Sequence, residues 1–255
     1  MTPASEHQTN ERTMEKSEVR NRVWEEFRKV ARPDARFHWD FNNFIADFEG
    51  SDEATRRTRE LEIYNDTNYV FSTPDNSLTT FRAQCIRDEK DLLVSTSGIS
   101  RGFFLLPKRS VPRDKVLYAS TLDGLDYVGQ HVTLEDIQEK GPIELLVTGS
   151  SAITTDGIRF GKGHGWFDIE WGLFTEVGVV TPETKIVTIV HESQVVSDIQ
   201  IPTQPYDVPI DFIVTPTRVI ETTSPVQKPH GIHWELLEQG MVESIAPLQE
   251  LQQYS

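Results

Sequence analysis

Gly161, Gly163 and Gly165 occupy every second position of one short stretch, which closes on Trp166, Phe167 and Asp168. Alternate glycines open backbone conformations that side chains forbid and let peptide N–H groups approach a ligand closely. That build suits the holding of an anion, above all a phosphate, and Lys162 between the glycines is a candidate donor of charge. Beyond the loop, Trp171, Phe174 and Gly178 follow Phe167 at helical spacing, so a helix with one apolar face starts where the glycines stop. Its N-terminus would add the positive end of a helix dipole to the free N–H groups. The spacing is neither the dinucleotide fingerprint nor the P-loop, so by itself it leaves a phosphate cradle and a structural turn as equal readings.

The elements that must position this loop read as an α/β chain. Apolar face residues Val19, Val23, Phe27 and Val30 predict a helix over 15–30, on which Lys16 and Arg20 sit one turn apart. That spacing fits two donors on one phosphate, but taken alone it favours a solvated face paired with Glu15 and Glu18. A second helix is expected from Ser51, opened by acid in its first turn, to Tyr64, and others over 78–87 and 133–140. Short apolar runs at 69–72, 92–96, 103–106, 116–119, 145–152, 185–190 and 211–215 read as strands. Helices alternating with such strands imply a sheet covered on both faces. Glu192 and Gln194 would then leave one strand end and Arg218 the next, beside the glycine loop, where a doubly wound sheet carries its site. A helix from Trp234 is expected to fray into a Gln-rich tail.

Composition narrows the partners. The 255 residues carry 25 basic against 40 acidic side chains, net −15, which opposes broad binding to nucleic acid or anionic membrane. An acidic chain that binds anions must gather its few cations in one place, and Lys16, Arg20, Arg101, Lys108, Arg109, Arg113 and Lys162 are the candidates. Residues 107–115 form the densest basic cluster. The lone Cys85 excludes an internal disulfide framework and reads as a core residue. His230 and His233 lie on a turn without a suitably spaced third ligand for zinc. The polar first residues, without an apolar leader, and the lack of any membrane-length run give the expectation of a soluble, cytoplasmic protein.

The segment Gly161-Lys-Gly-His-Gly-Trp-Phe-Asp168 resembles the Gly-Arg-Gly-Lys-Gly-Tyr-Tyr-Asp signature of the 5-formyltetrahydrofolate cyclo-ligase family, also called methenyltetrahydrofolate synthetases. Lys16 and Arg20 look like that family's N-terminal Lys-x-x-x-Arg helix, Glu192 and Gln194 like its Glu-Gln after a strand, and Asp207 with Asp211 like its acidic pair. The combination with His191 to Val196 and Thr215 to Ile220 is most similar to the branch of methenyltetrahydrofolate synthetase domain-containing proteins.

The resemblance implies a three-layer α/β sandwich with a mostly parallel central sheet, of the kind shared with ribose-5-phosphate isomerases and CoA transferases. It divides the chain into a disordered tail over 1–13, a cyclo-ligase-like domain over 14–235 and a C-terminal helix and tail over 236–255. It also implies ATP- and Mg²⁺-dependent ring closure of a reduced folate. By matching position, Lys16 and Arg20 would hold ATP phosphates, Gly161, Gly163 and Gly165 would wrap them with Trp166 and Phe167 beside them, and Asp168 would ligate Mg²⁺. Lys162, His164 and Asp168 would serve catalysis, and Glu192, Gln194 and Arg218 the substrate.

Four side chains depart from the signature. Lys162 keeps charge without the bidentate fork of arginine, His164 replaces a lysine, and Trp166 with Phe167 leaves stacking surface without phenols. Two alternatives therefore stand beside the cyclo-ligase: an enzyme of the same fold with another substrate or without the ATP step, and a non-catalytic ligand-binding protein. Oligomeric state is not legible.

Overall fold

Short runs of β-branched and aromatic residues build an eight-stranded central sheet in the computed structural model, which describes residues 12–13, 15–197 and 199–254. Its strands are β1 (Tyr69–Ser72), β2 (Asp91–Ser95), β3 (Phe103–Leu106), β4 (Gln130–Val132), β5 (Leu145–Thr148), β6 (Lys185–Ile189), β7 (Phe212–Val214) and β8 (Val219–Glu221). Their order across the sheet is β8-β7-β6-β5-β1-β2-β3-β4. From β7 to β2 every pair is parallel, and antiparallel strands finish both edges.

Alternate residues of the inner strands enter two separate cores. Phe71, Leu93, Leu146, Ile186 and Ile213 face one layer, where helices α4 (Leu134–Lys140), α5 (Trp166–Glu176) and α6 (Ala246–Tyr254) pack. Val70, Leu92, Val94, Val147, Val187 and Val214 face the other, under helices α1 (Lys16–Phe27), α2 (Ser51–Glu60) and α3 (Thr79–Arg87). A strand buried on both sides has no polar face to show, which is why these segments read as continuous apolar runs. The result is the expected three-layer α/β sandwich. Cys85 lies in the second core, fully buried, and burial pushes its thiol up to about 12.

Four expectations need correction. Residues Val116–Ala119 are a helical turn, not a strand: Val116 and Ala119 are buried while Leu117 and Tyr118 are exposed, a spacing of three and not of two. The helix that starts at Ser51 breaks at Leu61, whose backbone is extended, before a single turn over Glu62–Asn65. Its start is shaped by Gly50 in the left-handed region and not by a side-chain cap from Ser51. At the other end only Trp234–Leu236 turns helically. The Gln-rich segment, by contrast, forms α6, whose Leu248 and Leu251 join the first core. The disordered tail expected over 1–13 lies outside the described residues except for Arg12–Thr13, a short strand parallel to Ile199–Gln200.

Candidate functional site

The strand order reverses beside β1, which has β2 on one side and β5 on the other. Open α/β sheets bind ligands outside the carboxyl ends of their strands at such a point. A cavity of about 340 Å³ lies there. Thr73, Pro74 and Asp75, leaving β1, form one wall, and the whole loop from Gly161 to Gly165 lines the cavity as well. Buried Arg82 fixes the wall by donating to the carbonyls of Thr73 and Asp75, each at 2.9 Å, and of Ser120. Asp75 Oδ2 then accepts from the Thr73 hydroxyl and from the Gly149 N–H at 3.1 Å, which joins the ends of β1 and β5.

Two of the loop's glycines are sterically required. Gly163 has φ 115° and Gly165 φ 67°, the left-handed region that side chains avoid. A Cβ on Gly163 would also come within 3.3 Å of the Arg20 guanidinium. Gly165 is the N-cap of α5, so the helix begins with backbone N–H groups and no capping side chain. Lys16 and Arg20 reach the same cavity from α1, Lys162 from the loop and Arg159 from just before it. Four cations thus converge in an acidic chain. Lys16 is not idle: its ammonium lies 2.6 Å from buried Asp207. Burial pulls the Arg20 pKa below its ordinary value, the cost of holding a cation out of water.

Two carboxyls of α5 meet the cavity as well. Asp168 Oδ1 accepts the Val208 N–H at 3.0 Å. Burial pushes its carboxyl up to about 6 against the pull of Arg159 and of that amide. Glu170 is 1% exposed, and burial pushes it up to about 8. Trp166 packs over Gly98, with the ring of exposed His164 5.5 Å from its own. Phe167 turns into the first core, 2% exposed, with the Arg159 guanidinium over its ring, so it can supply wall but no free stacking face.

Among the described residues no three His, Cys, Asp or Glu side chains form a metal cluster. A magnesium ion that arrives with phosphates needs only one or two protein carboxylates, and Asp168 presents one on this wall. A smaller cavity of about 90 Å³ adjoins the first. It shares Gly163, His164, Gly165, Asp168 and Tyr206 and is walled by Ile232, Leu236, Leu237 and Met241.

Lys16, Arg20, Gly161, Lys162, Gly163, His164, Gly165, Trp166, Phe167 and Asp168 are therefore brought together. Glu192, Gln194 and Arg218 are not among the residues that line the cavity. Glu192 accepts from Thr215, Thr217 and Arg218, while Gln194 donates to the Ser150 carbonyl and accepts the His191 N–H. Their hydrogen bonds tie strand ends together outside this cavity. The basic cluster also lies elsewhere, with Arg109 paired to Glu89, and Arg101 pairs with Asp126. Of the acidic pair, Asp207 lines the cavity, whereas Asp211 holds Lys228 and the Ile186 N–H.

Arg159, Asp75 and Glu170 were missed in the sequence. Glu170 carried a usable signal, being a second carboxylate two residues after Asp168 in an otherwise apolar stretch of helix. Arg159 sits two residues before Gly161 and carried none.

The sequence pattern of the 5-formyltetrahydrofolate cyclo-ligase family matches residues 12–216. Methenyltetrahydrofolate synthase domain-containing proteins of Danio rerio and Homo sapiens are 32% and 31% identical to this chain over 92% of its length. The chain spans 61% of the length of each. A solved structure of Aquifex aeolicus 5,10-methenyltetrahydrofolate synthetase superposes with a TM-score of 0.50 over 86% of this chain and 98% of that one. At 18% identity that is a likeness of fold.

Proposed function

Because this chain belongs to the 5-formyltetrahydrofolate cyclo-ligase family, we propose that the cavity at the β1/β5 strand ends closes 5-formyltetrahydrofolate to 5,10-methenyltetrahydrofolate at the expense of ATP. One observation carries the reading: Lys16, Arg20, Arg159 and Lys162 converge with the glycine loop on a single cavity in a chain of net charge −15.

Hydroxide is a poor leaving group, so direct closure of a formamide is slow. Transfer of the γ-phosphoryl group to the formyl oxygen turns that oxygen into part of a phosphate. N10 then attacks the carbon and gives up its proton to solvent, and the C–O bond breaks with its electron pair leaving on phosphate. Such catalysis is mostly positioning and neutralisation of charge. Lys16, Arg20 and Lys162 would neutralise phosphate oxygens, and N–H groups of the loop and of the start of α5 would orient them. Asp168 would offer a carboxylate to magnesium, which supplies further neutralisation when bound with ATP. At neutral pH a carboxyl with a pKa near 6 is largely ionised and so fit for that task.

Incubation with ATP, Mg²⁺ and 5-formyltetrahydrofolate is expected to raise the absorbance band of the methenyl product. Its absence at high protein concentration rejects the reaction. A second reading, a different small-molecule substrate on the same fold, draws support from Trp166 and Phe167, which leave no hydroxyl after the loop. Thermal stabilisation by a sugar phosphate or pterin, with none by 5-formyltetrahydrofolate, would select it.

A further inference from the structure

Glu170 lines the cavity, is 1% exposed, and its Oε2 has no hydrogen-bond partner in the structure. The hydroxyl of Ser95, at the end of β2, lies close enough to favour the ionised carboxyl, yet it too lacks a well-aligned partner. Two buried polar groups side by side without partners are costly, and native interiors seldom leave them so without a ligand or water to complete them. Neither is needed to cap α5, which starts at Gly165, or to hold the ends of β1 and β5, which Arg82 and Asp75 secure.

We infer that Glu170 is a specificity-determining residue of this cavity, accepting an N–H from the uncharged heterocycle of the ligand while the glycine loop and its cations hold the anionic part. This rests on the proposed reading that the cavity is the ligand site. A protonated Glu170 can donate its O–H to a phosphate, but phosphate oxygens at neutral pH offer almost no N–H or O–H in return, so the carboxyl oxygen left as an acceptor finds no donor among the phosphates. Its neighbours reinforce the division: Asp75 stands near it on one wall, while Arg159 and Lys162 lie towards the loop. The matching ligand feature is an exocyclic amine or ring N–H. The adenine of a nucleotide and the pteridine of a reduced folate both carry one.

The test uses the whole chain and its Glu170→Met and Glu170→Gln variants, with ATP, 5-formyltetrahydrofolate and inorganic tripolyphosphate titrated separately by calorimetry. Methionine has similar length and removes a buried group that lacks partners, so the fold is expected to survive, and unchanged tripolyphosphate affinity verifies it. Glu170→Met should weaken one heterocyclic ligand by about tenfold or more, and Glu170→Gln, which keeps an acceptor, by less than about fivefold. Loss confined to ATP identifies adenine as the partner, and loss confined to the folate identifies the pteridine. Undiminished binding of both by Glu170→Met overturns the inference and leaves the cavity reading intact. Failure of the unaltered protein to bind any of the three overturns that reading, and the inference with it.

Discussion

Two glutamates at the carboxyl side of the sheet have opposite fates. Glu192 leaves β6 and is met by the hydroxyls of Thr215 and Thr217 and by Arg218 from the end of β7. Burial works to raise its pKa, but these three donors outweigh it and leave it below the ordinary value. Glu170 borders the opening between β1 and β5, and there burial prevails. Glu192 is ringed by donors, whereas Glu170 lines the cavity. The difference is topological: β6 and β7 are neighbours whose exits close on each other, whereas the reversal of order beside β1 keeps its exit open.

The largest effect should follow from emptying the open end of cations. Arg20→Ala combined with Lys162→Ala is expected to reduce kcat/KM for ring closure by about a hundredfold or more, on the scale of losing charge stabilisation on a transferring phosphoryl group. Tripolyphosphate affinity should fall in parallel and the melting temperature should hardly move. Retained affinity for tripolyphosphate would show that these two side chains line the cavity without serving it.

Next in size is the scaffold. Arg82 is fully buried and bonds three carbonyls, two of them in the wall of the cavity. Arg82→Met strands those acceptors and should cost about 2–4 kcal/mol in denaturant unfolding. Activity should fall with it, because Thr73 and Asp75 lose their anchor. A stable variant with normal turnover would mean that the open end holds its own shape.

The two glutamates also predict opposite pH dependences of stability. Glu170 has its folded pKa raised to about 8, so the folded state binds the proton more tightly than the unfolded chain. Its contribution to stability therefore falls as pH rises from the unfolded value towards 8, by roughly 1.4 kcal/mol per pH unit. Glu170→Gln should flatten that slope. Glu192 is lowered, so its contribution is present above the unfolded pKa and is lost as pH falls through the folded one. Glu192→Gln should diminish the loss of stability in acid and leave the alkaline limb alone. Chemical denaturation from pH 2 to 9 reads both, and parallel curves for the two variants would erase the distinction.

How much of this could be read beforehand follows the same line. The glycine loop, α1, α5 and the inner strands were legible because periodicity and spacing are local properties, and so was the meeting of Lys16, Arg20, Lys162 and Asp168 through resemblance to a family pattern. Whether a polar residue at a strand end faces a cavity or a neighbour depends on strand order, which no local pattern records. Glu192, Gln194 and Arg218 were therefore expected beside the loop, yet they line no part of its cavity, and Asp75 looked like part of a turn. The single turn at Val116–Ala119 was misread because four apolar-rich residues fit either period until their neighbours decide.

The smallest expected effect belongs to the closed end. Arg218 has 56% of its side chain exposed, and its bond to Glu192 is one of three that the carboxylate receives. Removing it leaves Thr215 and Thr217 in place, and an exposed ion pair contributes little against screening and side-chain entropy. Arg218→Ala should thus cost less than about 1 kcal/mol and leave tripolyphosphate affinity and turnover within twofold of the unaltered protein. A selective rise in KM for 5-formyltetrahydrofolate in this variant, without loss of stability, would reopen the closed end as a substrate surface. The contrast between the two strand ends would then fail, with Glu192 released from Arg218 when ligand arrives.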